Sequence, residues 1–158
     1  MKLPSFFLSS LLAIGLALSH PASVAQPGGA AMQIFKSPQC GCCGKWADHL
    51  DQHGFDSQRI DTGDMAAIKH QLAIPAELQS CHTGRIGDYV FEGHVPADVI
   101  QRFLANPPAN AYGLAVPGMP VGSPGMEMGE RHQDYDVMLL SRDGKHRVYT
   151  RVSRASAH

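Results

Sequence analysis

The chain has 158 residues, 44% of them hydrophobic, four cysteines and a formal net charge of −1. Its basic residues are scattered, which excludes a basic nucleic-acid face. The length suits one domain with a single core, and no internal repeat divides it.

The start of the chain reads as a targeting segment. Lys2 supplies a positive charge, the apolar run at residues 6–18 is short for a membrane span, and Ser23 and Ala25 fit cleavage after Ala25. Residues 1–25 are therefore expected to be a signal peptide that directs the protein to the periplasm and leaves no stable membrane anchor. No cysteine follows the apolar run to carry a lipid. Residues 26–31 are expected to form a flexible N-terminus, 32–152 a single domain, and 153–158 a tail.

Within the domain, MQIFKS (32–37) has the β-formers of a short strand. The cysteine turn follows, then a helical pattern from Lys45 in which Trp46 and Leu50 share a face and Gly54 is the stop. FDSQRID (55–61) reads as a second strand. Asp64 is placed to cap a second helix, with Met65, Ile68 and Leu72 as its apolar stripe and an end at Ile74-Pro75. Two short strands flank Gly87-Asp88. Pro96 opens a third helix with Val99, Ile100, Phe103 and Leu104 on its buried face, closed by Asn106-Pro107-Pro108. Residues 109–133 carry Gly and Pro at short intervals and are expected to form one long Met-containing loop. Residues 135–152 read as a hairpin turning at Asp143-Gly144. The order β-α-β-α-β-β-α, with C-x-x-C after the first strand, predicts an α/β thioredoxin-like fold with a C-terminal loop and hairpin added.

Three of the four cysteines stand in CGCC, residues 40–43. A bridge among Cys40, Cys42 and Cys43 closes a tiny loop and adds little stability, so the cluster is a poor structural framework and a good chemical site. Thiols at a helix N-terminus are stabilised as thiolates, which are both nucleophiles and soft-metal ligands. A thiol–disulfide oxidoreductase would use Cys40 as attacking and Cys43 as resolving thiol. Cys42 is then a competitor, and QSCHTGRI lacks the proline that such enzymes carry before the third strand. A metal site uses all of these features, because the fold brings Cys81 to face Cys40, Cys42 and Cys43. Soft thiolates favour Cu(I), zinc or iron–sulfur centres, and Cu(I) readily forms clusters with sulfurs this close. Zinc fits adjacent Cys42 and Cys43 less well, since structural zinc sites draw on separated cysteine pairs. Met119, Met126 and Met128 supply thioethers in the long loop, and His94 and His82 are the histidines placed to join. His82, next to Cys81, is expected to point to the opposite face of the strand. The remaining histidines, including the pair His49 and His53, are assigned to the surface.

The segments KSPQCGCCGKW, SCHT, EGHVPA and GLAVPGMPVGSPGMEM together resemble the CopG family of periplasmic copper-resistance proteins, from about Ile34 to Thr150. The resemblance implies a thioredoxin-like fold, a role in copper handling and a cysteine-built copper cluster. Carried onto this sequence, the family's cysteines are Cys40, Cys42, Cys43 and Cys81, its histidine is His94, and its loop methionines are Met119 and Met126. The expected function is capture of more than one Cu(I) ion in copper resistance, with copper ions and other periplasmic copper-handling or redox proteins as partners. Copper redox activity is an extension of that reading, and thiol–disulfide exchange at Cys40 and Cys43 is its alternative.

Overall fold

A computed structural model describes residues 31–154; the expected signal peptide and the end of the tail lie outside them. The elements run β1 (Ala31–Lys36), α1 (Gly41–Gln52), β2 (Asp56–Asp61), α2 (Met65–Gln71), a 3-10 turn (Ala76–Leu78), β3 (His82–Ile86), β4 (Tyr89–Glu92), α3 (Ala97–Ala105), β5 (Ala111–Ala115), β6 (Tyr135–Ser141) and β7 (His146–Val152). The seven strands form one sheet in the order β2-β1-β3-β4-β5-β6-β7. β1 runs parallel to β2 and antiparallel to β3, and β3 runs antiparallel to β4. That four-stranded half, with its crossover helices, is the thioredoxin-like unit. None of the helices among the described residues is long and apolar enough to cross a membrane.

Each layer follows from the sequence pattern. Trp46, Ala47 and Leu50 of α1 and Val99, Ile100 and Phe103 of α3 are buried with Met32, Ile34 and Phe91 of the sheet. Gly84 keeps that face open, since a Cβ there would lie 2.6 Å from Met32 Sδ and 3.0 Å from the Trp46 ring. The opposite face carries Ile74, Leu78, Val90, Ala115 and Leu140. Asp64 caps α2 as its position suggests, accepting a hydrogen bond from the Ala67 N–H at 2.9 Å.

Three expectations need correction. First, α1 begins at Gly41, not Lys45, so Cys42 and Cys43 occupy its first turn. Second, residues 109–133 are not one loop. Ala111–Ala115 pairs parallel with β4 and antiparallel with β6, inside the sheet. Ala and Gly are poor strand formers, but Gly113 permits a backbone approach to Val90 that any Cβ would block. Third, the residue of α2 that is fully sheltered is Lys69, while Met65, Ile68 and Leu72 are only partly covered. Lys69 crosses to Glu92 on β4, which is wholly buried.

Candidate metal centre

Cys40 is the N-cap of α1, with an extended backbone and no side-chain hydrogen bond to the helix. The first turn therefore receives no cap from the Cys40 side chain and contains no acidic residue to compete for its N–H groups. Cys40 and Cys43 are joined as a disulfide, while Cys42 and Cys81 are free thiols. Cys42 Sγ lies 3.5 Å from Cys40 Sγ and 3.8 Å from Cys81 Sγ. All four sulfurs fall within 4.8 Å of one another.

Cys81 reaches this cluster from the turn before β3. Residues 79–83 contain no proline to shape that turn. A buried carboxylate does so instead. Glu92 accepts hydrogen bonds from the Ser80 N–H at 2.6 Å and the Thr83 hydroxyl at 2.5 Å, and it pairs with the Lys69 ammonium. Thr83 and Glu92 are cross-strand neighbours, which fixes the carboxylate beneath the residue that precedes Cys81.

Two histidines close the other side of Cys81. His94 follows Gly93, whose φ of +70° suits glycine and turns the chain after β4. His94 Nε2 lies 3.4 Å from Cys81 Sγ, and His82 Nδ1 lies 3.3 Å from it. His82 thus does not point away. Cys81 precedes β3, so strict alternation does not apply to the pair, and the His82 ring packs on Trp46 with centroids 4.3 Å apart. Trp46 is itself fixed by its indole N–H to the Val95 carbonyl at 2.8 Å. Burial, then the neighbouring His94 and Lys69, push the His82 pKa well below its usual value. Burial also lowers that of His94, against the opposing pull of the Pro124 carbonyl and Glu127.

The segment after β5 is strapped across the site. The Ser80 hydroxyl donates to the Gly118 carbonyl, and His94 Nδ1 donates to the Pro124 carbonyl at 2.8 Å. Gly125, with φ +86°, lies against the start of α1, where a Cβ would sit 2.7 Å from the Cys42 carbonyl. Met126 adjoins Gly125 and is partly buried; Met119 and Met128 are about half exposed, and Met128 Sδ faces Arg131 Nη2 at 3.7 Å. His49 is not a plain surface residue either. Its Nε2 accepts the Ala97 N–H at 3.1 Å.

Sequence reasoning missed Lys69 and Glu92. A buried ion pair made by one helix position and one strand position leaves no periodic trace.

Burial, then the adjacent Cys42 sulfur, pushes the Cys81 thiol up from 9.0 to about 11. The thiolate fraction at pH 8 is lowered about 100-fold, and the greater nucleophilicity of a high-pKa thiolate offsets part of this. Iodoacetamide is therefore expected to alkylate Cys81 of the disulfide form about tenfold more slowly than an unperturbed thiol. Peptide mapping by mass spectrometry measures this, and a rate equal to that of a free thiol would contradict the shift.

Residues 78–126 match a family model described as a protein of unknown function, DUF411. No curated protein matches the chain at a significant level. Two solved structures do, both called copper resistance protein copG. Form 2 is 42% identical with a TM-score of 0.75, covering 79% of this chain and 99% of its own. Form 1 is 43% identical with a TM-score of 0.74, covering 78% of this chain and 98% of its own. With the CxCC motif, the distant Cys81 and the fold all in place, the chain belongs to the CopG family of copper-resistance proteins.

Proposed function

We propose that this protein captures Cu(I), more than one ion per chain, through Cys40, Cys42, Cys43 and Cys81. The observation that carries the reading is the mutual approach of four sulfurs within 4.8 Å at a helix N-terminus. Thiolates so close together favour bridging, and Cu(I) accepts two or three soft sulfurs. Zinc, the less suited metal, would need four separate ligand directions from a set that includes two adjacent residues. Met126, on the strap beside the start of α1, is the thioether best placed to serve as a further ligand or lid, and Met119 is the next. The protein works after export to the periplasm, where it limits free copper and exchanges it with other copper-handling or redox proteins.

The disulfide supports a redox-linked form of this reading. Cys40 and Cys43 bind copper only when reduced, so capture requires two electrons from a periplasmic reductant. Cation binding must also expel the Cys81 proton, so apparent affinity rises with pH through the neutral range. The disulfide also favours a second reading, thiol–disulfide exchange by Cys40 and Cys43 alone.

Anaerobic titration of fully reduced protein with Cu(I) against a chromophoric chelator tests the proposal. More than one equivalent should bind, and the disulfide form should retain less than half of that capacity. Equal capacity in both forms, together with rapid insulin reduction, would transfer the assignment to the oxidoreductase.

A further inference from the structure

Cys81 faces two different sets of neighbours. On one side are the sulfurs of the CGCC turn, with Cys42 Sγ at 3.8 Å. On the other are His82 Nδ1 at 3.3 Å and His94 Nε2 at 3.4 Å. Cys81, His82 and His94 offer three ligand atoms within 4.8 Å of one another, apart from the four-sulfur group.

The separations are those of ligands around one ion. A tetrahedral cation with sulfur at about 2.3 Å and nitrogen at about 2.0 Å holds those two atoms about 3.5 Å apart. The observed S···N distances of 3.3 and 3.4 Å need only small adjustment. The lone pairs are also prepared. A carbonyl only accepts, so His94 Nδ1 must carry the proton that it gives to Pro124, and its Nε2 lone pair is left facing Cys81. A carbonyl behind one ring nitrogen is the usual means of orienting a ligating histidine. His82 is fully buried, and its Nε2 has no hydrogen-bond partner among the described residues. Its other ring nitrogen, Nδ1, faces the Cys81 sulfur.

The donor set differs in kind from the cysteine cluster. One thiolate with two neutral imidazoles is a borderline set that suits divalent ions, and of the first-row divalent ions Cu(II) binds such donors most tightly. The set also needs neither Cys40 nor Cys43, so their disulfide leaves it whole.

We propose that Cys81, His82 and His94 form a second metal site, for one divalent ion with Cu(II) preferred, available in the disulfide form of the protein. Cys81 is common to both sites. The protein thus presents a mixed nitrogen–sulfur site when Cys40 and Cys43 are oxidised and an all-sulfur site when they are reduced. This shared use of Cys81 rests on the Cu(I) reading, while the mixed site itself does not need that cluster to form.

Co(II) is the probe of choice, because it reports thiolate ligation by its absorption and does not oxidise thiols. The full chain with its disulfide intact, verified by counting two free thiols, is titrated anaerobically with Co(II). One equivalent should bind with a thiolate-to-cobalt charge-transfer band, and Cu(II) added afterwards should displace it. Cys81→Ser should remove the band, and His94→Gln should weaken binding at least about tenfold. Thermal unfolding of each variant confirms its fold. His82→Gln is informative only if it folds, so His94→Gln carries the decision. Absence of the band in the disulfide form, or unchanged binding in folded His94→Gln, overturns the proposal. A protein that takes several Cu(I) ions when reduced but no Co(II) when oxidised keeps the cluster and loses this site; the converse result keeps this site and loses the cluster.

Discussion

Cys81→Ser in the reduced protein is expected to lower Cu(I) affinity about 100-fold and to leave less than half of the wild-type capacity. The magnitude follows from the strength of thiolate metal sites. A four-ligand structural site is worth about 10–16 kcal/mol, or roughly 3 kcal/mol per ligand, which is about two powers of ten. Cys81 is the sulfur that arrives from outside the CGCC turn, across 39 positions from Cys42. Without it the remaining three sulfurs lie on one turn and cannot enclose a cluster. Cys42→Ser should have a comparable effect, because Cys42 lies between Cys40 and Cys81 at 3.5 and 3.8 Å. Neither variant removes the Cys40–Cys43 pair, so insulin reduction separates the two functional readings. If both variants bind copper like the wild type while disulfide exchange depends on Cys40 and Cys43, the copper cluster is not the function. Competition against a chelator of known affinity gives the measurement.

The parts of this site that were legible in the sequence are those set by local chemistry. The strand–CxxC–helix order, the Asp64 cap, the Pro96 start of α3 and the Gly87-Asp88 turn each depend on a few neighbouring residues, and each is found in place. Thioredoxin-like topology then carries Cys81 to the cysteine turn. What was not legible depends on contacts between distant segments. β5 is a strand because β4 and β6 flank it, although Tyr112, Leu114 and Val116 do alternate and offered a faint signal. His82 turns toward Cys81 because the Trp46 ring supports it, and Trp46 is held by Val95 on yet another segment. Periodicity along one element reports which face is buried. It is silent on two charges that meet through the protein interior.

Lys69→Met is expected to destabilise the protein by about 3–5 kcal/mol, the cost of stranding one charge of a buried ion pair. For a domain of this size that lowers Tm by roughly 10–20 °C. The Lys69 and Glu92 side chains are 5% and 0% exposed, so water cannot replace the missing partner. Glu92→Gln strands the ammonium instead and should cost a similar amount, yet its one amide oxygen can still accept from the Ser80 N–H while its NH2 donates to the Thr83 hydroxyl. The double variant Lys69→Met/Glu92→Gln removes both charges together and should be more stable than either single variant. Urea denaturation with an unchanged m-value measures each step. A Lys69→Met protein within about 1 kcal/mol of wild type would show that the pair is not held dry in solution. The cycle bears on copper as well, because the Glu92 carboxylate holds the Ser80 N–H and Ser80 precedes Cys81. Glu92→Ala should therefore weaken Cu(I) binding even at temperatures where the protein remains folded, whereas Glu92→Gln, which keeps the acceptor, should not. That difference separates a residue that positions Cys81 from one that only supports the fold.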